Sequence, residues 1–405
     1  MSSFWNLVGF EYKKIMNRKS VIIAMLIALL ISIVSCLGIL LSNHYIEGEL
    51  FESNYEAIMK DMAYARALSG RTIDSTLLLE AADAYAKVPQ SYPYIKTNEY
   101  QTYARPYSEL YGIMRAVYSN GQNEFELQNM QNLSTEQADN FYSTRQQKQV
   151  NMINGSNMSD AAKTKLLSLE EKVTKPFVFD YTGGYTRFFT VMYTTGMIIS
   201  FVVAICIAPI FSGEYTSGMD QMILSSKHGK GKLIGSKLFT GYSFTAWICI
   251  VLTVIIYLTC MIAFGFDGMD APLQLYLPMC TYPLTMGQTA LIFSICILLG
   301  NIFLSSIVML LSAKLKTPFG VMIIFSIITI APMFIHIPDS NIVLKDLINL
   351  IPSNMMGFWT VISSNQYELL GLVMQPYIFI PIFAALVSIL LIPFSYSIFK
   401  KHQIG

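Results

Sequence analysis

The sequence predicts an all-α membrane protein with six transmembrane helices and both termini cytoplasmic. An N-terminal interfacial amphipathic helix precedes the first span, and a largely helical external domain lies between the first and second. Three observations carry this reading. Hydrophobic residues make up 53% of the 405 positions and charged residues only 13%, against about 25% charged in an ordinary soluble protein. The charges are unevenly spread, because residues 42–185 hold 13 of the 27 Lys and Arg and 18 of the 26 Asp and Glu. Elsewhere charge is confined to short breaks, and those breaks alternate in sign. The net charge of +1 argues against a nucleic-acid partner, which asks for a basic face.

Residues 1–19 come first. Phe4, Leu7, Val8, Ile15 and Met16 recur at helical spacing, with Asn6, Glu11, Lys13 and Lys14 between them. This pattern predicts a helix lying in the membrane interface, with Trp5 as an aromatic anchor. A crossing helix needs about 20 apolar residues to span roughly 30 Å of hydrocarbon. Such runs occupy 21–41, 188–211, 238–264, 284–313, 319–337 and 377–399. The first spanning segment is thus 20–41, and five further spans fall within 186–405. Residues 358–374 are semi-apolar but interrupted by Ser363, Ser364, Asn365 and Glu368. The segment from about 340 to 376 therefore reads as re-entrant or interfacial, packed against protein where broken backbone is tolerated.

Orientation follows from the flanking basic residues. Lys13, Lys14, Arg18 and Lys19 precede the first span, and Lys227, Lys230, Lys232 and Lys237 separate the second from the third. Lys314 and Lys316 follow the fourth span, and Lys400 and Lys401 the sixth. The alternate loops carry Asp267, Asp270, Asp339, Asp346 and Glu368 against a lone Lys345. Both termini are therefore expected in the cytoplasm, and 42–185 outside. Ile33-Val34-Ser35-Cys36 resembles a lipoprotein cleavage box, but the apolar run continues through Leu41, where a mature lipoprotein turns polar. The six cysteines lie in or beside spans, and no spacing suggests a metal or redox pair.

The loop 212–237 carries the most specific pattern. It runs from Phe211 through Glu214 and Gly218 to a short apolar stretch holding Met219, Met222, Ile223 and Leu224. Ser225, Ser226 and a basic cluster follow, and Lys237 then enters the next span. With Phe10-Glu11-Tyr12-Lys13-Lys14 ahead of the first span, this resembles the permease subunits of ATP-binding-cassette type-2 exporters. The chain departs from the family pattern in having Tyr215 and Ser225-Ser226 where many members have Arg and Pro. The resemblance covers the membrane part and leaves the external domain unplaced. It implies a coupling helix docked on a separate ATPase subunit, present in two copies, with Glu214, Gly218, Met219, Met222, Leu224, Ser225 and Ser226 at or near the contact. It also implies a dimer with a second copy or a sister permease, in contact with membrane lipid. The cargo would be hydrophobic or amphipathic, such as an antimicrobial peptide, lipid or drug. Read without the family, exposed Met at this loop is apolar surface that wants a partner. Glu214 has two readings, a direct partner contact or a local pair with Lys227 or Lys230.

No catalytic residue, cofactor site or metal site is legible, so the chain is not expected to be an enzyme by itself. The glycines and lysines of 229–237 lack phosphate-loop spacing, and Ser236 precedes Lys237 instead of following it. Leu68-Ser69-Gly70-Arg71 only mimics the start of an ATPase signature. ATP and Mg are expected on the partner subunit. His44, His228, His336 and His402 are too scattered for a ligand set. Ser294, Asn301, Ser305 and Ser306 on the fourth span are either helix glue or a polar stripe, so Asn301, Ser305 and Ser294 mark a candidate substrate path. In the external domain, Tyr55, Ile58, Met59 and Met62 share one predicted helical face, and Leu77, Leu78, Ala81, Ala82 and Tyr85 another. Tyrosines are dense there, and Tyr103, Tyr107 and Tyr111 form either a binding face or half-buried packing. Two other classes compete. A ligand-binding sensor or scaffold is expected to add a signalling domain, yet the sequence reaches Gly405 a few residues past its last span. An ion-coupled transporter is expected to bury Asp or Glu within its spans.

Overall fold

The computed structural model describes residues 2–121, 123–226, 229–335, 337–338 and 341–401. His228, His336, His402, Lys227 and Asp339 lie outside them. Helix α1 (Ser2–Met16) and α2 (Lys19–Leu37) meet at Asn17 and Arg18. One narrow face of α2, formed by Val21, Ala28, Ser32 and Cys36, is buried. Ile23, Leu26, Leu30 and Val34 are exposed on the other side. Each fully exposed side chain of this kind forfeits about 1.5–3 kcal/mol of burial in water, and hydrocarbon removes that penalty.

A hairpin of β1 (Asn43–Ile46) and β2 (Glu49–Ser53) opens the inserted region. Its turn, Glu47-Gly48, has φ of 54° and 80°, the geometry that matches strand twist in two-residue hairpins. Then come α3 (Asn54–Leu68), α4 (Ser75–Ala86), α5 (Ser108–Tyr118), α6 (Leu127–Gln131), α7 (Thr135–Asp139), α8 (Phe141–Asn154) and α9 (Asp160–Glu170). Ser53, Asp74, Ser134 and Ser159 cap α3, α4, α7 and α9 by accepting from backbone N–H groups, which satisfies donors that a helix start leaves open. The α4 face predicted from spacing is the buried one, and it packs on Leu110, Ile113, Met114 and Val117 of α5. On α3, Ile58 and Met62 of the predicted face are partly buried against the cores. Ala57, Ala65 and Leu68 are buried, and Tyr55 points outward.

The helix bundle follows: α10 (Gly183–Ile207), α11 (Pro209–Ser217), α12 (Met219–Ser225), α13 (Ile234–Phe264), α14 (Met286–Lys314) and α15 (Pro318–Ile330). Next are α16 (Ile342–Asn349), α17 (Pro352–Met355), α18 (Phe358–Val361), the antiparallel hairpin β3 (Tyr367–Leu369) with β4 (Leu372–Met374), and α19 (Pro376–Lys400). Five helical stretches are long and apolar enough to cross a membrane: Lys19–Leu41, Gly183–Ser217, Gly229–Phe264, Met286–Lys314 and Pro376–Lys400. The stretch expected as a further span is the shorter Pro318–Phe334. Its last four residues tighten into a 3₁₀ turn at Ala331–Phe334, where Pro332 supplies no N–H. The segment from about 340 to 376 breaks into short pieces. Met355, Phe358 and Val361 pack inward, while Val343, Leu347, Trp359 and Leu370 are exposed. Helix α14 is central, packed against α10, α13 and α19.

Pro209 breaks the second apolar stretch, and α14 heals the break. Ser312 Oγ accepts from the N–H groups of Phe211 and Ser212, each at 3.0 Å, and donates to Ala208 O at 2.5 Å. One hydroxyl thus satisfies the groups that the proline interruption leaves open. All six cysteines are free and buried, and Cys36 and Cys260 place their sulfurs 3.2 Å apart across α2 and α13. That proximity has no sequence signature.

The inserted domain is seated on the loop between α13 and α14 by a buried arginine. Arg145 on α8 donates Nε to Pro278 O at 2.7 Å and a terminal nitrogen to Cys280 O at 2.9 Å. Its guanidinium also pairs with Glu170, which holds Lys175 Nζ at 2.9 Å as well. Gln149 adds a bond to Met279 O, and Arg66 pairs with Asp267. Breaking a buried pair from one side costs about 3–5 kcal/mol. Arg145→Ala should therefore lower the unfolding midpoint of the detergent-solubilised protein far more than Lys175→Ala, read by scanning fluorimetry. Equal effects would mean that Arg145 does not seat the domain.

Candidate functional site

The loop singled out by sequence folds into two short helices that fold back onto the bundle. Helix α11 ends where Gly218 adopts φ +68°, a left-handed conformation that glycine takes without strain. Helix α12 follows directly. Its Asp220 and Leu224 turn inward, while Met219 is 44% and Met222 66% exposed. Ser225 and Ser226 are exposed as well. The chain then turns sharply at Gly229, where a Cβ would lie 1.5 Å from Ile223 O. The result is a short helix held at both ends by glycines, presenting two flexible thioethers.

Beneath it lies a cluster of buried charge. Glu214 on α11 is only 2% exposed, and its carboxylate accepts from Lys237 Nζ at 2.6 Å and from Lys14. Lys237, at the start of α13, is fully buried and reaches Glu11 Oε1 of α1 at 2.9 Å. Two carboxylates face two ammonium groups, and three elements meet on one nitrogen. Next to it Arg18 donates to Cys206 O at 2.5 Å. Among the described residues Glu214 pairs with Lys237 and Lys14 and not with Lys230, because α11 leans on the base of α13, and Lys227 lies outside those residues. Glu214 is consequently buried and turned from the surface that Met219 and Met222 share. Glu11, read as part of the polar face of α1, is also buried.

Helix α1 lies along α13, with Phe4 and Trp5 packing edge-on against Phe239 and Tyr12 donating to Ser243 Oγ at 2.7 Å. Trp5 and Phe10 remain exposed. On the opposite side, Tyr215 bonds Ala313 O at 2.8 Å, and Phe211 and Tyr215 stack near Phe399 of α19. Tyr396 also bonds Lys230 O at 2.9 Å. Helix α11, joined to α12 through Gly218, is therefore clamped by α1, α13, α14 and α19, and the exposed face of α12 has no such constraint. A rigid lever with an apolar tip is what this arrangement can supply: a push on α12 is passed to four bundle elements.

The other candidate residues separate. Ser200 donates to Asn301 Oδ1 at 2.9 Å, and Asn301 Nδ2 reaches Ile297 O at 3.0 Å. Asn301 and Ser305 are fully buried in helix contacts, as helix glue would be. Ser294 instead borders an apolar groove of about 510 Å³ between α13 and α14. The tyrosines do not form one face. Tyr107 bonds Glu80 at 2.6 Å, Tyr111 stacks on Tyr85 at 5.0 Å, and Tyr103 is exposed with Lys87 over its ring. Among the described residues no group of His, Cys, Asp and Glu could hold a metal ion.

Sequence reading missed the cluster as a unit, although each member was visible. The available signal was Lys237 itself, a lysine set at the start of an apolar span with an acid 23 positions earlier. Ser312 and Arg145 gave no comparable signal. No family model matches the chain, and no curated protein matches it.

Lys237→Met should destabilise the protein by about 3–5 kcal/mol, because it leaves two carboxylates without their buried partner. Adding Glu11→Leu and Glu214→Leu should restore most of the loss, since an apolar replacement of a whole buried ion cluster is often neutral. Unfolding midpoints of the single and triple variants test this. A triple variant weaker than the single one would contradict it.

Proposed function

We propose that the chain is the membrane-spanning permease subunit of an ATP-binding-cassette exporter, moving a hydrophobic or amphipathic substrate outward. The observation that carries this reading is helix α12, whose Met219 and Met222 are exposed while α11, joined to it at Gly218, is fixed by the Lys237 ion cluster. Apolar surface of this kind next to a basic loop fits a groove on a separate, cytoplasmic ATPase, since Met adapts to imperfect surfaces. The inherited role of Glu214 changes in this picture. It transmits force through the cluster and does not touch the partner.

In this reading six helices cross the membrane. Pro318–Phe334 is the short sixth, with about 28 Å of rise from thirteen α-helical and four 3₁₀ residues, close to the roughly 30 Å of hydrocarbon. Basic residues near α1, α12 and the end of α19 put these ends in the cytoplasm of a cell membrane, and the inserted domain outside. Two permease copies, or one with a sister permease, would pair with two ATPase subunits. ATP-driven closure of those subunits would press on α12 and shift α11 and α13 together. A second reading, a ligand-binding scaffold without transport, is favoured by the cavity beneath the inserted domain.

The test is co-purification and ATP hydrolysis with the ATPase encoded beside the gene. Met222→Asp should abolish association and the permease-dependent part of ATP hydrolysis, at an unfolding midpoint near that of the parent protein. Full association and hydrolysis in this variant would remove α12 as the coupling element. No ATPase partner at all would put the scaffold reading first.

A further inference from the structure

A cavity of about 750 Å³ opens where the inserted domain meets the bundle. Ile58 and Met62 of α3, Ile113 of α5, Ile39 beyond α2, Phe264 at the end of α13 and Leu275 on the next loop give it an apolar wall. Ile58 and Met62, partly buried against neighbouring core residues, thus also border this space. Such a mixture of apolar wall and a few charged groups is typical of sites for organic ligands.

Three charged residues border the cavity, Asp61, Glu109 and Arg187. Asp61 is paired with Arg105 Nε at 2.7 Å, a guanidinium that also holds Glu52 at 2.9 Å. Arg187 is spent on the end of α2, donating Nε to Cys36 O at 2.9 Å and a second nitrogen to Ser35 O. On its own helix, Glu109 is followed by Arg115, which pairs with Glu124. Tyr181 and Tyr276 are the remaining titratable groups on the wall. Among the described residues Glu109 has no ion-pair partner. It stays open to the cavity.

The same face of α5 is cut away. Gly112 lies one turn after Glu109 and Ala116 one turn further, and both border the cavity. A Cβ on Gly112 would meet nothing within 4 Å, so no close approach demands glycine there. A mid-helix glycine costs about 1 kcal/mol relative to alanine, and here its effect is to leave room beside the carboxylate.

We propose that this cavity binds an amphipathic organic cation, its charged nitrogen against Glu109 and its apolar body against Ile58, Met62, Ile113 and Phe264. In naming the class and place of the ligand, this rests on the exporter reading, although binding itself needs no ATPase. Desolvation by the cavity walls, and second the neighbouring Asp61 carboxylate, raise the Glu109 carboxyl to about 7 while the side chain keeps access to solvent. The carboxylate that attracts the cation is therefore mostly present at pH 8 and mostly protonated at pH 6, so affinity falls with pH.

The probe is ethidium, read by fluorescence polarisation with the full chain in nanodiscs of zwitterionic phosphatidylcholine. Binding above empty nanodiscs is expected at pH 8, weakening about tenfold at pH 6 as the competent fraction drops. Glu109→Gln should bind about tenfold more weakly at pH 8 and lose the pH dependence. Gly112→Phe, which fills the space and keeps the charges, should abolish binding at both values. No binding by the parent protein, or binding indifferent to pH and to both variants, would overturn the site. That failure would leave ATPase coupling through α12 untouched, and loss of that coupling would leave ethidium binding intact.

Discussion

One fully buried ammonium, Lys237 Nζ, organises the end of the bundle that carries α12. An isolated charge in an apolar interior costs many kcal/mol, so it persists only where carboxylates converge on it. Here they come from two other elements, Glu11 of α1 and Glu214 of α11. Once that requirement is met, α1 must lie along α13, and α11 must lean on the base of the same helix. The position of α12 follows, because only Gly218 separates it from α11. A neutral core could hold these helices together, but packing alone permits sliding. A shared ion fixes the register of all three.

Two other polar contacts extend the constraint along the molecule. Ser312 closes the backbone gap at Pro209, which ties the break in the second apolar stretch to α14. Arg145 does comparable work at the far end, where carbonyls of the α13–α14 loop accept from its guanidinium. The bundle is thus bracketed by two buried cations, and the helices between them meet mainly through apolar side chains and small residues.

Much of this was legible in advance. Five of the six expected apolar stretches recur as helices long enough to cross a membrane, with ends off by up to nine residues, because a membrane-length run needs no tertiary information. The buried face of α4 was read from spacing alone, as was the exposure of Met219 and Met222. The errors have a common origin. Tyr55 was placed on one face with Ile58 and Met62, yet it points outward while they are partly buried, because spacing marks an apolar face without telling which neighbours cover it. Glu11 was assigned to a polar face because periodicity cannot register a lysine 226 positions away. Glu214 was matched with the nearest basic residues in sequence, whereas helix packing selected Lys237 and Lys14. Tyr103, Tyr107 and Tyr111 had two readings, a binding face or half-buried packing, and each has a different neighbour in the structure.

The sequence by itself determined the class of the protein, the apolar stretches, the inserted domain and the short methionine-bearing segment. Those properties depend on local composition and on periods of a few residues. Which charges are buried together, which serine mends a broken helix and which apolar face borders a cavity were decided only by tertiary structure. Each depends on side chains brought within about 3 Å by the packing of separate helices, a distance unrelated to their separation along the chain.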